Sequence, residues 1–288
     1  MTQARRALAR AASAYANAAF VAQEVSRRMA ERLEYIRCDP RRILDAGAGA
    51  GENVELLSRR FSHADIVAMD IAQPVLSRAR GTGSLLRRLR VRFSGRAPYF
   101  ICGDFENLPL KSGSVGFVWS NLALGRAGRL QPVLSEFNRV LMPGGLLMFS
   151  HYGPDTLKEL KSAFGAGGDR RVHVFPDMHD LGDQLVANGF AAPVMDMEML
   201  TLTYSDVAAL ARDLKNSGQT NARQSRSRGL MGRGIWANMR AAYERRRQGG
   251  KLPATLEIVY GHAWKGEPRN TADGRQIMRV ERNIKKSF

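Results

Sequence analysis

The stretch Arg42-Ile43-Leu44-Asp45-Ala46-Gly47-Ala48-Gly49-Ala50-Gly51 decides the fold of this chain. Its first four residues predict a β-strand, and the periodic pattern of residues 53–61 predicts a helix directly after the glycines. Glycines at such a turn let backbone N–H groups approach a ligand closely, because no Cβ atom stands in the way. We therefore expect an α/β unit whose strand-to-helix turn holds a nucleotide-like molecule.

The three glycines of this turn, Gly47, Gly49 and Gly51, have the spacing G-x-G-x-G. A dinucleotide fingerprint has its third glycine one position later, where this chain has Glu52, and a carboxylate at the start of a helix repels a pyrophosphate. S-adenosylmethionine carries no phosphate, and its ammonium group suits an acidic residue such as Asp45. We therefore predict that the turn binds S-adenosylmethionine, the alternative being a turn without a ligand.

Polar side chains follow the next three predicted strands. Asp70 ends the second strand, 19 residues after Gly51, where a carboxylate accepts both ribose hydroxyls of an adenosine. After the third strand, Asp104 is placed to meet the adenine amino group and Phe105 to cover the ring. Asn121 follows the fourth strand, beside the methionine portion. Because the carboxyl ends of parallel strands converge on one crevice, we expect these residues to complete the cofactor site.

Short apolar runs and helical patterns alternate beyond this first unit. Such alternation is typical of βαβ units and of a parallel sheet covered on both faces. Further strands are predicted at residues 65–70, 99–102, 115–120, 145–150, 194–204 and 254–260, and further helices at 73–80, 130–141, 155–164 and 178–188. The predicted fold class is α/β, with a Rossmann-like sheet and helices on both of its faces.

Further segments complete the expected organisation. Apolar residues at helical spacing near the beginning predict an amphipathic helix or helix pair, so residues 1–38 are expected to form an N-terminal helical cover. Residues 39–264 are expected to form the main domain. A helical insertion at about 205–250 precedes the last strand, and residues 265–288 form a basic tail.

The chain is strongly basic. Its 44 Lys and Arg outnumber 27 Asp and Glu, which gives a formal charge of +17 over 288 residues. Such a charge attracts a nucleic acid, a membrane surface or an acidic protein, unless the charged runs are only solvated faces. Two clusters hold much of it, the first with Arg78, Arg80, Arg87, Arg88, Arg90, Arg92 and Arg96, the second with Arg223, Arg226, Arg228, Arg233, Arg240, Arg245, Arg246 and Arg247.

Composition also bears on the compartment and on metal binding. No run of about 18 uncharged apolar residues occurs, so the sequence predicts no membrane span. Cys38 and Cys102 stand in no metal-binding pattern and cannot form a disulfide scaffold, which favours the reducing cytoplasm and no metal. The arginine-rich beginning also resembles a mitochondrial transit peptide, but Glu24, Glu31 and Glu34 favour mature protein.

Over residues 40–150 the chain resembles the class I S-adenosylmethionine-dependent methyltransferases, with Glu136 and Pro143-Gly144-Gly145 matching the segment before their fifth strand. A narrower similarity, to the malonyl-acyl-carrier-protein O-methyltransferases of biotin synthesis, covers nearly the whole chain. It rests on Tyr15 and on the stretches SNLAL (120–124), GPDTLKEL (153–160), DMHDLG (177–182) and LPAT to YGHAW (252–264).

This resemblance implies an enzyme that methylates the free carboxylate of a malonyl group on an acidic acyl carrier protein. A carboxylate with a pKa of roughly 4 is already ionised at neutral pH, so no general base is needed. In-line placement and exclusion of water then supply the catalysis. Tyr15 matches the family position that covers the cofactor. Its hydroxyl is a candidate for holding the substrate carboxylate, the alternative being a plain core tyrosine.

Four positions depart from the family pattern. Gly125 and Arg126 stand where the family usually has glutamine and tryptophan, Gly116 where it has aspartate, and His151 where it more often has a small residue. Arg126 is a second candidate for the malonyl carboxylate, through a charge-assisted hydrogen bond. The alternative for Arg126 is a solvent-exposed side chain.

Two other functions stay open at this point. The complex I assembly factor that hydroxylates an arginine is similar in residues 173–181 and 213–221, and it shares the cofactor fold. A nucleic-acid-binding, methyltransferase-like protein would use the two arginine clusters to contact phosphates. Neither cluster has the regularly interleaved aromatic residues that stack on bases, which disfavours this last function.

Overall fold

A computed structural model describes residues 2–81, 97–221, 229 and 231–266. In this part of the chain seven strands form one sheet: β1 Arg42–Ala46, β2 Asp65–Asp70, β3 Tyr99–Cys102, β4 Val115–Ser120, β5 Leu141–Tyr152, β6 Phe190–Tyr204 and β7 Leu252–Lys265. Their order is β3-β2-β1-β4-β5-β7-β6. The strands β1 to β5 pair in parallel, and β7 is antiparallel to both β5 and β6. The predicted Rossmann-like α/β sheet is confirmed.

Helices cover both faces of this sheet. They are α1 Thr2–Ala11, α2 Tyr15–Ala18, α3 Phe20–Leu33, α4 Glu52–Arg60, α5 Gln73–Gly81, α6 Leu130–Val140, α7 Lys158–Ala163, α8 Gly168–Arg171, α9 Met178–Ala187, α10 Val207–Asn216 and α11 Arg233–Glu244. Successive residues of a strand point to opposite faces. Accordingly Phe117 and Trp119 lie in one buried cluster and Val118 in another.

The sheet brings the ends of four strands to one edge. Residues of β1 pair in parallel with both β2 and β4, and Asp70 at the end of β2 lies opposite Cys102 at the end of β3. At the end of β4, Ser120 lies opposite Phe149. All six residues of β4 are buried, as expected for a central parallel strand. The residues that follow β1, β2, β3 and β4 therefore converge at this edge of the sheet.

The N-terminal cover consists of α1, α2 and α3 rather than one helix or a helix pair. Leu8, Tyr15 and Ala19 are buried in one cluster with Ala72 and Val75 from the beginning of α5. A single continuous helix would turn some of these apolar residues away from α5. The chain instead breaks between α1 and α2 and again at Ala19, so that packing overrides the simple periodicity.

The fifth strand begins earlier than residue 145, where the sequence pattern places it. Leu141 already pairs with Val115, and the register between β4 and β5 shifts between Val115 and Phe117. Pro143-Gly144-Gly145 lies in the irregular part of this pairing. A proline and two glycines are weak strand formers, so tertiary pairing extends the strand beyond its local signal.

Helix α7 begins at Lys158 rather than at residue 155, where the pattern predicts its start. The N–H of Asp155 donates to Oε2 of Glu257 at 2.7 Å, and the hydroxyl of Thr156 donates to the Glu257 carbonyl oxygen at 3.1 Å. Leu157 has φ +58°. These contacts fix residues 153–157 as a turn against β7.

The helices α10 and α11 lie between β6 and β7 in the chain, and the insertion at about 205–250 stays a prediction. Within the described ranges no helix is long and apolar enough to cross a membrane. Parts of the predicted basic segments lie outside the described residues: Arg87, Arg88, Arg90, Arg92 and Arg96 of the first cluster, Arg223, Arg226 and Arg228 of the second, and the tail from residue 267 onward.

Candidate active site

The turn between β1 and α4 passes through Gly47, Gly49 and Gly51, with φ values of +88°, +56° and +85°. Residues with a Cβ rarely adopt this conformation, which explains the alternate glycines. The N–H groups of Gly47 and Ala48 donate to the carbonyl oxygen of Met69 at 2.8 and 2.9 Å. The turn is therefore tied to the end of β2.

Asp70 braces the same turn from β2. Its Oδ2 accepts the N–H of Gly49 at 3.1 Å, and its Oδ1 accepts the N–H of Ala72 at 2.9 Å. The side chain is buried and lines a pocket above the turn, and burial raises the pKa of its carboxyl. Each oxygen retains a second lone pair. Ribose binding by Asp70 thus stays a prediction that its geometry permits.

Asp45 lies fully buried at the end of β1. Its Oδ1 accepts Nδ2 of Asn53 at 3.1 Å, while its Oδ2 has no hydrogen-bond partner in the described part of the chain. Burial raises the pKa of this carboxyl to about 8 and also raises the pKa of Glu52. A nearby cation favours the ionised form of such groups. The glycine turn is therefore suited to a ligand with positive charge.

The third strand delivers Phe105 to the pocket. Its ring is 6% exposed, lines the pocket and packs on Phe137 with 6.1 Å between ring centroids. Asp104 forms a local turn instead, because its Oδ1 accepts the N–H of Glu106 at 2.9 Å. An apolar ring at this wall suits a flat base, whereas the adenine contact of Asp104 stays a prediction.

Asn121 uses both ends of its amide within the protein. Its Nδ2 donates to the carbonyl oxygen of Ala22 at 2.7 Å, and its Oδ1 accepts the hydroxyl of Ser150 at 2.7 Å. Asn121 also lines the pocket. It therefore joins the N-terminal cover to β5 directly beside the site, and its contact with the methionine portion stays a prediction.

Tyr15 lies over the glycine turn. A Cβ built on Gly49 would stand 3.0 Å from Oη of Tyr15, and Tyr15 lines the pocket together with Leu8 of α1. Burial raises the pKa of the hydroxyl above its usual range, although the positive charge of Arg126 opposes this effect. Tyr15 therefore stays protonated and is able to donate a hydrogen bond. Tyr15 is both buried and at a pocket wall, so its contact with a substrate carboxylate stays a prediction.

Arg126 points into the pocket rather than into solvent, which excludes the alternative of a solvent-exposed side chain. Its Nη2 donates to the carbonyl oxygen of Ser217 at 3.4 Å, and its Nε is buried without an acceptor in the described residues. Arg126 as a whole is half-buried, but a buried N–H donor without an acceptor is costly unless a ligand completes it. The pocket therefore holds an unsatisfied group of the kind that binds a carboxylate.

The residues around the turn fit S-adenosylmethionine. Asp45 carries an unpaired buried oxygen beneath the turn, and Gly49 leaves the backbone bare where a Cβ would stand 2.9 Å from Oε2 of Glu52. The ring of Phe105 supplies an apolar wall. These features match a ligand with an ammonium group and a purine, and they do not match a pyrophosphate.

Known proteins resemble this chain over nearly its whole length. The malonyl-acyl-carrier-protein O-methyltransferase of Laribacter hongkongensis is 50% identical over 278 residues, which covers 95% of this chain and 93% of the relative. The protein of that name from Gallionella capsiferriformans is 47% identical over 283 residues, covering 98% and 96%. This chain belongs to the malonyl-acyl-carrier-protein O-methyltransferase family. A second match, to the family described as a methyltransferase domain, spans residues 44–149.

Two solved structures have a fold similar to that of this family member. The YcgJ protein of Bacillus subtilis has a TM-score of 0.60 at 17% identity, covering 85% of this chain and 99% of that protein. A protein of Bacillus halodurans has the same TM-score at 15% identity, covering 85% and 100%. The curated relatives from Laribacter hongkongensis and Gallionella capsiferriformans do not favour the arginine-hydroxylating assembly factor or the nucleic-acid-binding alternative.

Two departures from the family pattern meet in space. A Cβ at Gly125 would stand 3.3 Å from Nε2 of His151 and 3.2 Å from Cε1 of Phe175. His151 donates from Nδ1 to the carbonyl oxygen of Tyr152 at 2.5 Å, and burial lowers its pKa to about 4. His151 is therefore neutral and occupies the space that a larger residue at position 125 would need. The two changes compensate each other in packing.

Gly116 is a separate departure with a local cause. A Cβ at this position would lie 3.1 Å from Cβ of Pro40 and 3.7 Å from the carbonyl oxygen of Arg42. An aspartate there would need Pro40 to move. The packing of β4 against the beginning of β1 therefore explains the glycine at position 116. This position lies at the edge of the sheet opposite the glycine turn.

Several pocket residues of this methyltransferase were not predicted from the sequence. Tyr152, Tyr204 and Asp213 line the pocket, and the Tyr204 hydroxyl donates to Oδ2 of Asp213 at 2.6 Å. Tyr152 ends β5, so the strand-end rule that found Asp70 would also have found it. Tyr204 and Asp213 come from β6 and α10, where no local pattern marks a site.

Proposed function

We propose that this protein transfers a methyl group from S-adenosylmethionine to the free carboxylate of a malonyl thioester on acyl carrier protein, in biotin synthesis. One observation carries the choice of acceptor: the half-buried, incompletely paired guanidinium of Arg126, whose Nε lacks an acceptor among the described residues, lines the pocket above the glycine turn. A carboxylate is its natural partner, because charge-assisted hydrogen bonds to guanidinium are among the strongest in proteins. The names of the relatives support the same acceptor.

S-adenosylmethionine supplies an electrophilic methyl group when it is bound. We assign its ribose to Asp70, its adenine to Asp104 and Phe105, its ammonium group to Asp45, and its methionine portion to Asn121. The backbone at Gly47, Gly49 and Gly51 makes the close approach. Contacts to these residues come from separate strand ends, so they fix the direction of the cofactor as well as its position.

The acceptor carboxylate needs orientation rather than deprotonation. With an ordinary pKa of roughly 4, it is ionised at neutral pH. Arg126 would hold one side of it, and the Tyr15 hydroxyl would donate to it from the other. Burial also raises the pKa of Tyr152 above its usual range. Both hydroxyls are therefore donors, and neither acts as a base.

Enclosure of the pocket supports catalysis by placement. Its lining comes from the N-terminal helices, including Leu8 and Ala18, and from α10, including Leu210 and Leu214. Holding two reactants in a dry, fixed arrangement contributes up to about 7 to 11 kcal/mol in well-oriented systems. We propose that residues 1–38 act as a cover, that residues 205–250 form the acceptor side of the 39–264 domain, and that residues 265–288 form a basic tail.

The remaining expectations concern partner and compartment. The formal charge of +17 favours an acidic carrier, whose attraction should weaken as salt is added. The absence of metal-binding cysteine patterns and the free thiols of Cys38 and Cys102 favour a cytoplasmic enzyme.

The test is direct. The protein is incubated with S-adenosylmethionine and malonyl carrier protein, and the carrier is weighed by mass spectrometry. We expect a product heavier by one methylene, and none with acetyl carrier protein, which lacks the free carboxylate. Restored growth without biotin, in a strain that lacks the methyltransferase, is expected in parallel. Intact cofactor binding without any methylated carrier would refute the proposal.

A further inference from the structure

A second cavity of about 290 Å³ adjoins the cofactor pocket. The two spaces share a wall, because six residues line both of them: Tyr152, Leu157, Leu210, Leu214, Gln219 and Leu256. Arg126 lines the cofactor side of this wall. A ligand in the second cavity would therefore end within reach of the place assigned to the acceptor carboxylate.

The walls of the second cavity are mainly apolar with a few polar groups. Val172 and Met239 are buried apolar residues, and Phe164 adds an aromatic ring. The side chains of Gln219 and Thr220 supply amide and hydroxyl groups. Such a mixture suits a slender chain that alternates alkyl segments with amide bonds.

The cavity reaches the protein surface. Ala211, Thr220 and Met231 line it and are exposed. Arg171 also lines it, with its guanidinium carbon 5.6 Å from the centroid of the Phe164 ring. A cation among the lining residues suits a phosphate on the ligand.

The surface around this cavity is basic. Residues 155–171 and 231–251 carry ten Lys and Arg against four Asp and Glu. The two segments lie together, since α7 contacts α11 and Nη2 of Arg246 donates to the hydroxyl of Ser162 at 2.6 Å. Arg233, Arg240 and Arg245 are exposed on this side. The face therefore attracts an acidic protein.

We propose that the second cavity and this basic face together form the docking port for acyl carrier protein. The cavity takes the phosphopantetheine arm, whose two amides and alkyl segments match its walls, and Arg171 meets the phosphate at the carrier end. The exposed face of α11 takes the acidic surface of the carrier. The thioester end of the arm reaches the shared wall, beyond which lies Arg126. This inference rests on the proposed function, because it takes the carrier as the substrate.

Two substitutions on one helix test the cavity. Ala211→Phe adds a ring at an exposed position that lines the cavity, and Ala208→Phe adds the same ring at an exposed position of α10 that lines neither space. Binding of holo-carrier protein, with its arm but without malonyl, is compared with binding of apo-carrier protein, without the arm. We expect the wild type and Ala208→Phe to bind the holo form about tenfold more tightly, and Ala211→Phe to bind both forms within about twofold.

A charge-reversal pair tests the face. Arg240→Glu, next to the cavity residue Met239, should weaken the binding of both the holo and the apo carrier protein by about tenfold at low salt. Lys111→Glu lies in the exposed loop before β4, at the opposite edge of the sheet, and should change binding by less than about twofold. Equal weakening by the two reversals would show that only net charge matters and would overturn the assigned face.

These binding measurements separate the port from the reaction. If the wild type prefers the holo form and Ala211→Phe loses that preference, the port stands even where no methylated carrier is found, and the proposed function alone fails. If the carrier is methylated but Ala211→Phe and Ala208→Phe behave alike, the proposed function stands and the port is wrong. Equal binding of holo and apo carrier by the wild type, or binding of RNA but not of the carrier, would also overturn the port.

Discussion

The cofactor side and the acceptor side of the pocket are built in different ways. Around the glycine turn the polar groups are fixed by the backbone: Asp70 accepts the N–H groups of Gly49 and Ala72, and Met69 accepts those of Gly47 and Ala48. On the acceptor side, Arg126 donates one long hydrogen bond, at 3.4 Å, within the described residues, and the walls of the pocket are side chains from β6, β7 and α10, most of them apolar.

This difference predicts that the two sides respond differently to substitutions. A backbone cradle has one geometry, so a substitution that enters it should abolish binding outright. A wall of side chains is able to repack, because neighbouring side chains exchange volume; Gly125 and His151, outside the pocket lining, are one example, since His151 fills room that Gly125 leaves. The cofactor side should therefore be intolerant, and the acceptor side adjustable, within the same pocket.

The largest expected effect is that of Gly49→Val on cofactor binding. A Cβ at this position meets Oε2 of Glu52 at 2.9 Å and Oη of Tyr15 at 3.0 Å, and the backbone has φ +56°. We expect S-adenosylhomocysteine binding to fall by more than about a hundredfold, measured by calorimetry. Gly113→Val is the matched control, because Gly113 has φ +62° but no atom within 4 Å of its Cβ. Equal losses would mean that backbone strain, not blockage of the cradle, is responsible.

Arg126→Gln should have the next largest effect, on the acceptor side alone. Losing a charge-assisted contact costs about 1.5 to 3 kcal/mol, or roughly a 10- to 150-fold lower kcat/KM for malonyl carrier protein. Calorimetry should show S-adenosylhomocysteine affinity changed less than about threefold. Arg126→Lys keeps the charge but not the paired donors, so its kcat/KM should lie between those of the wild type and Arg126→Gln. If Arg126→Gln lost S-adenosylhomocysteine affinity by the same factor as kcat/KM, Arg126 would belong to the cofactor side of the pocket.

The cofactor side was largely predictable because its information is local. Gly47, Gly49 and Gly51 lie within five residues and demand positive φ, which a sequence displays directly. Asp70 follows from a strand whose bounds the apolar pattern gives correctly. Backbone-built sites are thus encoded in short stretches with fixed spacing.

The acceptor side was not predictable in the same way. Tyr204, Asp213 and Leu256 meet only after β6, α10 and β7 have packed, and each belongs to an ordinary amphipathic pattern. Arg126 likewise donates to the carbonyl oxygen of Ser217, 91 residues away. Sequence alone named Arg126 through a departure from a family pattern, but its direction into the pocket required the fold.

Asp70→Ala should weaken cofactor binding less than Gly49→Val does. It removes the acceptor assigned to the ribose and also the brace on the N–H of Gly49. A charge-assisted contact of about 1.5 to 3 kcal/mol corresponds to roughly 10- to 150-fold weaker S-adenosylhomocysteine binding. Asp104→Ala is the informative partner, because Asp104 is engaged with Glu106 in a local turn. A larger loss from Asp104→Ala would reverse the assigned order of the two carboxylates.

The smallest expected effect is a pH dependence of stability that comes from Asp45. Burial raises the pKa of its carboxyl to about 8, against about 4 in the unfolded chain. Between these values the folded state keeps a proton that the unfolded state has lost, so the free energy of unfolding falls as pH rises, by at most about 1.4 kcal/mol per pH unit. His151 acts in the opposite direction. Its pKa is lowered to about 4, so its contribution is lost as pH falls from about 6.5 to 4.

The interval from pH 6.5 to 8 therefore lies above the range of His151 and below the raised pKa of the Asp45 carboxyl. Chemical denaturation of the protein without cofactor should show stability that declines across this interval, and Asp45→Asn should reduce the slope while keeping the acceptor for Nδ2 of Asn53. A residual slope is expected, because burial also raises the pKa of Asp70 and Glu52. Saturating S-adenosylhomocysteine, whose ammonium group favours the ionised form of Asp45, should flatten the wild-type slope more than that of Asp45→Asn. Identical slopes for the two proteins, with and without ligand, would mean that the Asp45 carboxyl is ionised in the folded state and that it contributes nothing to the charge preference of the cofactor side.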